Sequence, residues 1–195
     1  LSRFPQSALP QRWEDREPVI YMASRFARQK DHDTLIKALT LLKQRGLTPA
    51  LYLAGAGKSS LRAKAERLVT QQGLGSQVHF LGNVSDLPQR LTQARIFVLA
   101  THWEGMPLAL VEGMAAGCAC IVSDVIGARE VIAPGVNGLR VPEASAQAMA
   151  DALQKLLENP DLAKKLGQAA RDHAVAHYGR ENMWQQYQQL LNAHS

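Results

Sequence analysis

The chain lacks most of the features that would place it in a specialised class. No apolar run reaches the roughly 18 residues a membrane-spanning helix requires, and no secretory leader is visible at the start. Only two cysteines occur in 195 residues, Cys118 and Cys120, one residue apart inside an apolar run. On a strand they point to one face as near neighbours, too constrained for a useful disulfide. They therefore read as small core residues, and the expected compartment is reducing and cytosolic. There is no internal repeat and no low-complexity tract. Nothing interleaves aromatic with basic residues in the manner of a nucleic-acid surface, so no nucleic-acid partner is expected. The first residue is Leu1 rather than methionine, the expectation for a piece of a longer protein.

What is present is ordinary for a globular domain: 46% apolar and 20% charged residues, with a formal charge of +5. That length fits one domain of about 150–200 residues with its own core. The modest positive charge suits an acidic ligand, an anionic membrane surface or nucleic acid without choosing among them. Residues 1–17, LSRFPQSALPQRWEDRE, carry prolines and charges without periodicity and read as a linker or arm.

After the arm, strands and helices alternate. Apolar runs suited to strands are Val19–Ser24, Ala50–Gly55, Val78–Gly82, Arg95–Ala100, Cys118–Ser123 and Gly138–Pro142. Most lack in-out alternation, as strands buried on both faces should. Helical stretches lie between and after them: Asp33–Arg45 with Asp33 as N-cap, Ser60–Gln72, Leu108–Ala116, Ala144–Glu158, Pro160–His177 and Arg180–Asn192. This is the pattern of an α/β fold, a doubly wound Rossmann-like parallel sheet of about six strands with helices on both faces. Such sheets bind ligands at the carboxyl ends of their strands.

GAGKSS, Gly55–Ser60, follows a strand and opens a helix, so it imitates two phosphate loops. A P-loop needs glycine five positions before Gly57, where Tyr52 stands inside the strand. The dinucleotide fingerprint lacks its third glycine, and no acidic residue ends the next strand. A tight turn in front of a helix is the better reading.

The stretch THWEGMPLALVEGMAAG, Thr101–Gly117, is apolar almost throughout yet holds Glu104 and Glu112, eight positions apart. Neither has a lysine or arginine within helical reach. Pro107 suits the first helical position. The first N–H groups of that helix, near Leu108 and Ala109, form an anion site at its positive end. A carboxylate buried without partners is costly, but hydroxyl donors make it tolerable. The order is carboxylate, N–H cradle, carboxylate, which matches a diol, a diphosphate and a second polyol. A sugar nucleotide is such a molecule. Arg25 and Lys30, on the loop after the first strand, reach the same sheet edge and suit the diphosphate without a metal.

These segments resemble the nucleotide-binding half of the retaining GT-B glycosyltransferases, specifically glycosyltransferase family 4. The resemblance covers residues 18–195 and rests on SRFARQKDHDTLIKAL, LYLAGAGKSSLRAKAE, VHFLGNV, EGMPLALVEGMAAG, VSDVIGAREVI, GVNGLRV and the helical tail. Two glutamates separated by seven residues are a hallmark of that family, and Glu104 and Glu112 match it.

The resemblance implies that Glu112 accepts hydrogen bonds from ribose hydroxyls. Glu104 and the backbone of Gly105, Met106 and Pro107 are implied to hold the transferred sugar. Arg25 and Lys30 neutralise the departing diphosphate, aided by Leu108 and Ala109, and Gly82, Asn83 and Val84 line the base pocket. Arg25, Lys30 and Glu104 are the expected catalytic residues. The expected ligand is a UDP- or GDP-sugar, with no metal and no other cofactor. Family members usually carry glycine where Ser24 and Asp31 stand and proline where Ala119 stands.

The implied domain order is an arm (1–17), a donor-binding domain (18–177) and a closing helix (178–195) carrying Trp184, Tyr187 and Leu190 toward an absent amino-terminal lobe. That lobe holds a glycan or lipid-linked acceptor, and peripheral contact with the cytosolic membrane face is left open. The implied chemistry is front-face attack with retention, assisted by the leaving phosphate and without a general base. Three rivals are an NAD-dependent oxidoreductase using Gly55 and Gly57, a nucleic-acid-binding module and a sugar-nucleotide epimerase of the same architecture.

Overall fold

The computed structural model describes residues 12–179. A short 3-10 helix, Trp13–Asp15, leads into strand β1, Glu17–Ala23. Helix α1 (His32–Gln44), strand β2 (Leu51–Ala54), helix α2 (Ser59–Gln71) and strand β3 (Val78–Gly82) follow. The second half comprises α3 (Leu87–Gln93), β4 (Ala94–Leu99), α4 (Leu108–Ala115), β5 (Ala119–Ser123), α5 (Ile126–Arg129) and β6 (Leu139–Val141). Helices α6 (Ala146–Glu158) and α7 (Pro160–Tyr178) close the described chain. The expected sheet is present: six strands in the order β3-β2-β1-β4-β5-β6, every pairing parallel.

Side-chain alternation on the central strands divides the core in two. Ile20 and Met22 of β1 and Ile96 and Val98 of β4 face α1, α2 and α6 through Leu35, Leu39, Ala65, Val69, Met149 and Leu153. Tyr21, Phe97, Leu99, Cys120 and Val122 face the other way, against Leu110 and Met114 of α4 and Ala170 and Ala174 of α7. Strands buried on both faces in this manner are apolar at successive positions, which is why the runs lacked alternation. Helix α7 serves both clusters, since its early residues Ala163 and Leu166 belong to the first. Between them Gly167 passes the sheet so closely that a Cβ there would lie 2.4 Å from the Gly117 carbonyl oxygen.

Several expectations shift in detail. The N-cap of α1 is Asp31, not Asp33: its carboxylate accepts the Thr34 amide at 3.1 Å. The cap must precede the first helical residue, and His32 already is one. Pro107 caps α4 and is not its first helical residue. Helices α3 and α5 escaped the sequence reading because seven and four residues are too few to display a helical period. Strand β1 starts two residues early, and the Arg16 guanidinium just before it donates to the carbonyls of Ala94 (3.3 Å) and Gly117 (2.9 Å). The rest of the expected arm, and the helix Arg180–Asn192 with Trp184, Tyr187 and Leu190, lie outside the described residues.

The two cysteines are free and buried, as expected. Desolvation pushes the Cys118 thiol up to about 12 and the Cys120 thiol well above its ordinary value, so neither supplies a thiolate.

Helix α4 sits on β4 through Gly113, where a Cβ would lie 2.5 Å from the Phe97 ring. Gly113→Ala is therefore expected to cost about 1–3 kcal/mol by overpacking. That corresponds to a melting temperature lower by roughly 2–12 °C. An unchanged melting temperature would show that this helix is not seated as described.

Candidate active site at the carboxyl edge

The chain builds outward from β1 through β2 to β3, then returns to β4 on the other side of β1. Connections leaving β1 and β4 therefore diverge, and the crevice between them is where open parallel sheets take their ligands. The loops leaving those two strands are Ser24–Asp31 and Ala100–Pro107, which carry the expected cations and the first expected carboxylate.

These loops are stitched together. The Asp31 amide donates to the Ala100 carbonyl (3.0 Å) and the His102 amide to the Gln29 carbonyl (2.9 Å). The Thr101 hydroxyl sits between the carbonyls of Gln29 (3.0 Å) and Trp103 (3.1 Å). The Thr101 amide donates to the Ser123 hydroxyl at 3.0 Å, adding the end of β5 to the group. The ring Nδ1 of His102 lies 2.7 Å from Glu143 Oε1, just beyond β6. Gly127, at the start of α5, packs so tightly on this loop that a Cβ would lie 2.3 Å from the Gly105 carbonyl oxygen.

Lys30 and Glu104 meet directly as an ion pair, with side chains only 14% and 6% exposed. Helical reach could not reveal this pair, because its members come from two strands far apart in sequence. The second carboxylate oxygen of Glu104 accepts from the Gln29 amide at 3.3 Å. Arg25 is exposed, and no hydrogen bond or ion pair of its side chain occurs among the described residues.

Glu112 lies one turn beyond Ala109 on α4. It is half-buried, with no side-chain partner among the described residues. Ala109, Val84, Leu81 and Tyr52 are partly buried and pack against the second core cluster. Gly82 has a left-handed φ of 66°, and its carbonyl accepts the Gly55 amide at 2.7 Å, which fixes the start of the loop carrying exposed Asn83 and half-buried Val84.

One expectation fails at the helix start. The Leu108 amide is turned back onto the Met106 carbonyl at 2.9 Å. Only the Ala109 amide of the expected pair lacks a hydrogen-bond acceptor among the described residues. With a proline as cap there is no cap side chain to hold the first N–H, so it closes a tight turn instead.

A cavity of about 190 Å³ adjoins the site, lined by Arg28, Lys30, Asp31, His32, Lys64 and His102 among others. Lys30 lines it, while Arg25, Glu104 and Glu112 do not. A larger hollow of about 800 Å³ lies at the opposite, amino-terminal edge, between Trp13, Arg16, Gly117 and α7. We place the site at the carboxyl edge despite its smaller hollow, because the paired charges and diverging loops are there. Among the described residues no cluster of three or more His, Cys, Asp or Glu side chains is arranged to hold a metal. No described helix is long and apolar enough to cross a membrane.

The two glycines of GAGKSS have structural duties. Gly55 (φ 133°) and Gly57 (φ 150°) run so close to the loop after β1 that Cβ atoms there would lie 2.2 Å from the Ser24 oxygen and 2.4 Å from the Phe26 oxygen. The close approach they permit is to the chain's own backbone, which supports the tight-turn reading.

Residues 6–173 match the family model described as glycosyl transferases group 1. The chain is 30% identical over 172 residues to the GDP-mannose-dependent alpha-(1-6)-phosphatidylinositol monomannoside mannosyltransferase of Mycobacterium tuberculosis, covering 83% of this chain and 44% of that one. Among solved structures it resembles Anabaena Alr3699/HepE in complex with UDP-glucose, with a TM-score of 0.85 and 21% identity over 98% of this chain and 55% of that one. It also resembles the C-terminal domain of a glycosyl transferase group 1 family protein, LpcC, from Francisella tularensis. There the TM-score is 0.77 and the identity 26%, over 91% of this chain and 96% of that domain. The chain spans about half the length, or less, of the curated relatives it matches.

His32 lies under the site, 6% exposed and stacked on Phe26 at 4.2 Å, with Nε2 3.2 Å from the Ser24 hydroxyl. Burial lowers its pKa to about 4, against the raising influence of Asp33 and Asp31. The folded state keeps the ring neutral, while the unfolded chain takes up a proton near pH 6.5. Stability contributed by the neutral ring is thus intact above pH 6.5 and falls by roughly 3 kcal/mol as pH drops to about 4. Thermal melts of the parent and His32→Phe across that window should diverge progressively toward low pH, with the parent losing more. Parallel curves would contradict a buried neutral imidazole.

Proposed function

The chain belongs to the glycosyl transferases group 1 family, and on that premise we propose that it is the donor-binding half of a retaining, metal-independent glycosyltransferase of family 4. The observation that carries this reading is the meeting of Lys30 with Glu104 at the switch point, on the loop that also carries the unpaired Arg25. A cation for the diphosphate and a carboxylate for sugar hydroxyls are thereby presented side by side. UDP-glucose, held by HepE, and GDP-mannose, on which the mycobacterial relative depends, are both nucleoside diphosphate sugars and support that donor class.

In this reading the base rests on the loop Gly82–Val84 and the ribose hydroxyls donate to Glu112. The diphosphate is gripped by Arg25 through paired hydrogen bonds, by Lys30 as a point charge and by the Ala109 amide. Glu104, with the backbone of Gly105, Met106 and Pro107, holds the sugar. Departure of the nucleoside diphosphate leaves an oxocarbenium-like sugar and builds negative charge on the leaving phosphate. Cations better matched to that charge than to the intact donor accelerate the step. The acceptor, a glycan or a lipid-linked saccharide, attacks the face from which the phosphate leaves and is held by the other half of a full-length relative. The work site proposed is the cytosol or the cytosolic face of a membrane.

Isothermal titration of this chain with UDP, GDP and their sugars tests the reading. A measurable affinity for one nucleotide is expected. Glu112→Ala and Arg25→Ala should each weaken it by about 10- to 100-fold, the loss of a charge-assisted contact. Binding that survives both substitutions unchanged would place the donor elsewhere.

A further inference from the structure

Glu104 is held from two sides by consecutive residues, and only one of them is charged. Lys30 pairs with Oε1, while the amide nitrogen of Gln29 donates to Oε2 at 3.3 Å and to the Trp103 carbonyl at 2.6 Å. The Gln29 carbonyl accepts from the His102 amide (2.9 Å) and the Thr101 hydroxyl (3.0 Å). Gln29 thus bonds to all four residues from Thr101 to Glu104, through its backbone at one end of that segment and its side chain at the other.

Resting on the donor-site reading above, we propose that Gln29 is a positioning residue that keeps the Glu104 carboxylate aimed at the sugar while Lys30 serves the diphosphate. The two partners respond differently to an arriving anion. An ammonium is drawn to the phosphate charge, and any share of Lys30 given to it is taken from Glu104. A neutral amide has no such attraction and remains on Oε2. Without it, a carboxylate only 6% exposed would lose orientation at the moment its charged partner is recruited. A carboxylate offers about four acceptor sites. Lys30 and Gln29 occupy one on each oxygen, which leaves one on each for sugar hydroxyls.

Gln29→Met is the discriminating variant. It keeps the length and volume of the side chain and the backbone carbonyl bonds, and removes the amide with its bonds to Glu104 and to the Trp103 carbonyl. The measurement is the ratio of dissociation constants for a nucleoside diphosphate and its sugar, using UDP with UDP-glucose and GDP with GDP-mannose on this chain. Gln29→Met should leave nucleoside diphosphate affinity within about twofold and weaken sugar nucleotide affinity by about tenfold.

Equal losses for both ligands would mean that Gln29 merely supports the loop, and unchanged affinities would mean that it does nothing for Glu104. Either overturns the proposal while leaving the donor site standing. If the parent chain binds neither pair, the donor-site reading falls and this inference falls with it.

Discussion

Two loops that leave neighbouring strands are joined into one strip by the bonds from Asp31 to Ala100 and from His102 to Gln29. Much else at this edge depends on that junction. It brings Lys30 against Glu104, and it gives a largely buried carboxylate a cation before any ligand is present. An unpaired carboxylate in that position would be a costly buried charge. Because the cation and the carboxylate come from different strands, neither can keep its place unless β1 and β4 are adjacent. The strand order supplies that adjacency, and it also makes the connections diverge and open the crevice.

Ser24, Asp31 and Ala119, which the resemblance marks as departures, have local tasks in the structure. Asp31, where the resemblance implies glycine, caps α1 with its carboxylate through the Thr34 amide. Its exposure is 8%, so the cap also satisfies a charge that would otherwise be stranded. Ser24, the other replacement, places its hydroxyl 3.2 Å from the His32 ring. That ring is held neutral by burial and stacks flat on Phe26, closing the floor of the loop from below. The departures therefore stiffen the loop through side chains where glycine would have offered only backbone freedom. Ala119 is fully buried in the first core cluster, in register with Ile96, and its effect is on packing.

Much of this was legible in the chain itself. Runs such as Ile20–Ala23 and Ile96–Leu99 are apolar at every position because both faces are covered, and that continuity identified the parallel sheet. Glu112 was recognisable as unpartnered because its helix carries no other charge. What was hidden depended on contacts between distant segments. The Lys30–Glu104 pair spans 74 positions, and Gln29 is an unremarkable polar residue until its four bonds are seen. The signal that would have found both is the placement of β1 beside β4, since it puts Gln29–Lys30 opposite Thr101–Glu104. The bond from Leu108 to Met106 was hidden for another reason: a proline cap was read as a helix start, and the turn it forces has no side-chain signature.

The same edge explains an imbalance in the surface. Trp103, Met106, Leu108 and Ile126 are 56%, 52%, 65% and 76% exposed, although each is large and apolar. Gly127 packs on the Gly105 carbonyl, so Ile126 at the start of α5 and Met106 lie on adjoining segments. Scattered apolar residues need no explanation, but four around a single charged strip do. If the site is one wall of a donor cleft, the apolar rim and the charged strip answer different parts of the problem. Of the charges assigned to diphosphate and hydroxyl groups, Lys30 and Glu104 are already paired, while Arg25 and Glu112 have no side-chain partner among the described residues. Water must also be kept from an oxocarbenium-like sugar, and an apolar rim does that only when something closes over it. The isolated domain therefore carries both the prepaired charges and the uncovered rim, as a half-site must if its chemistry is completed by closure.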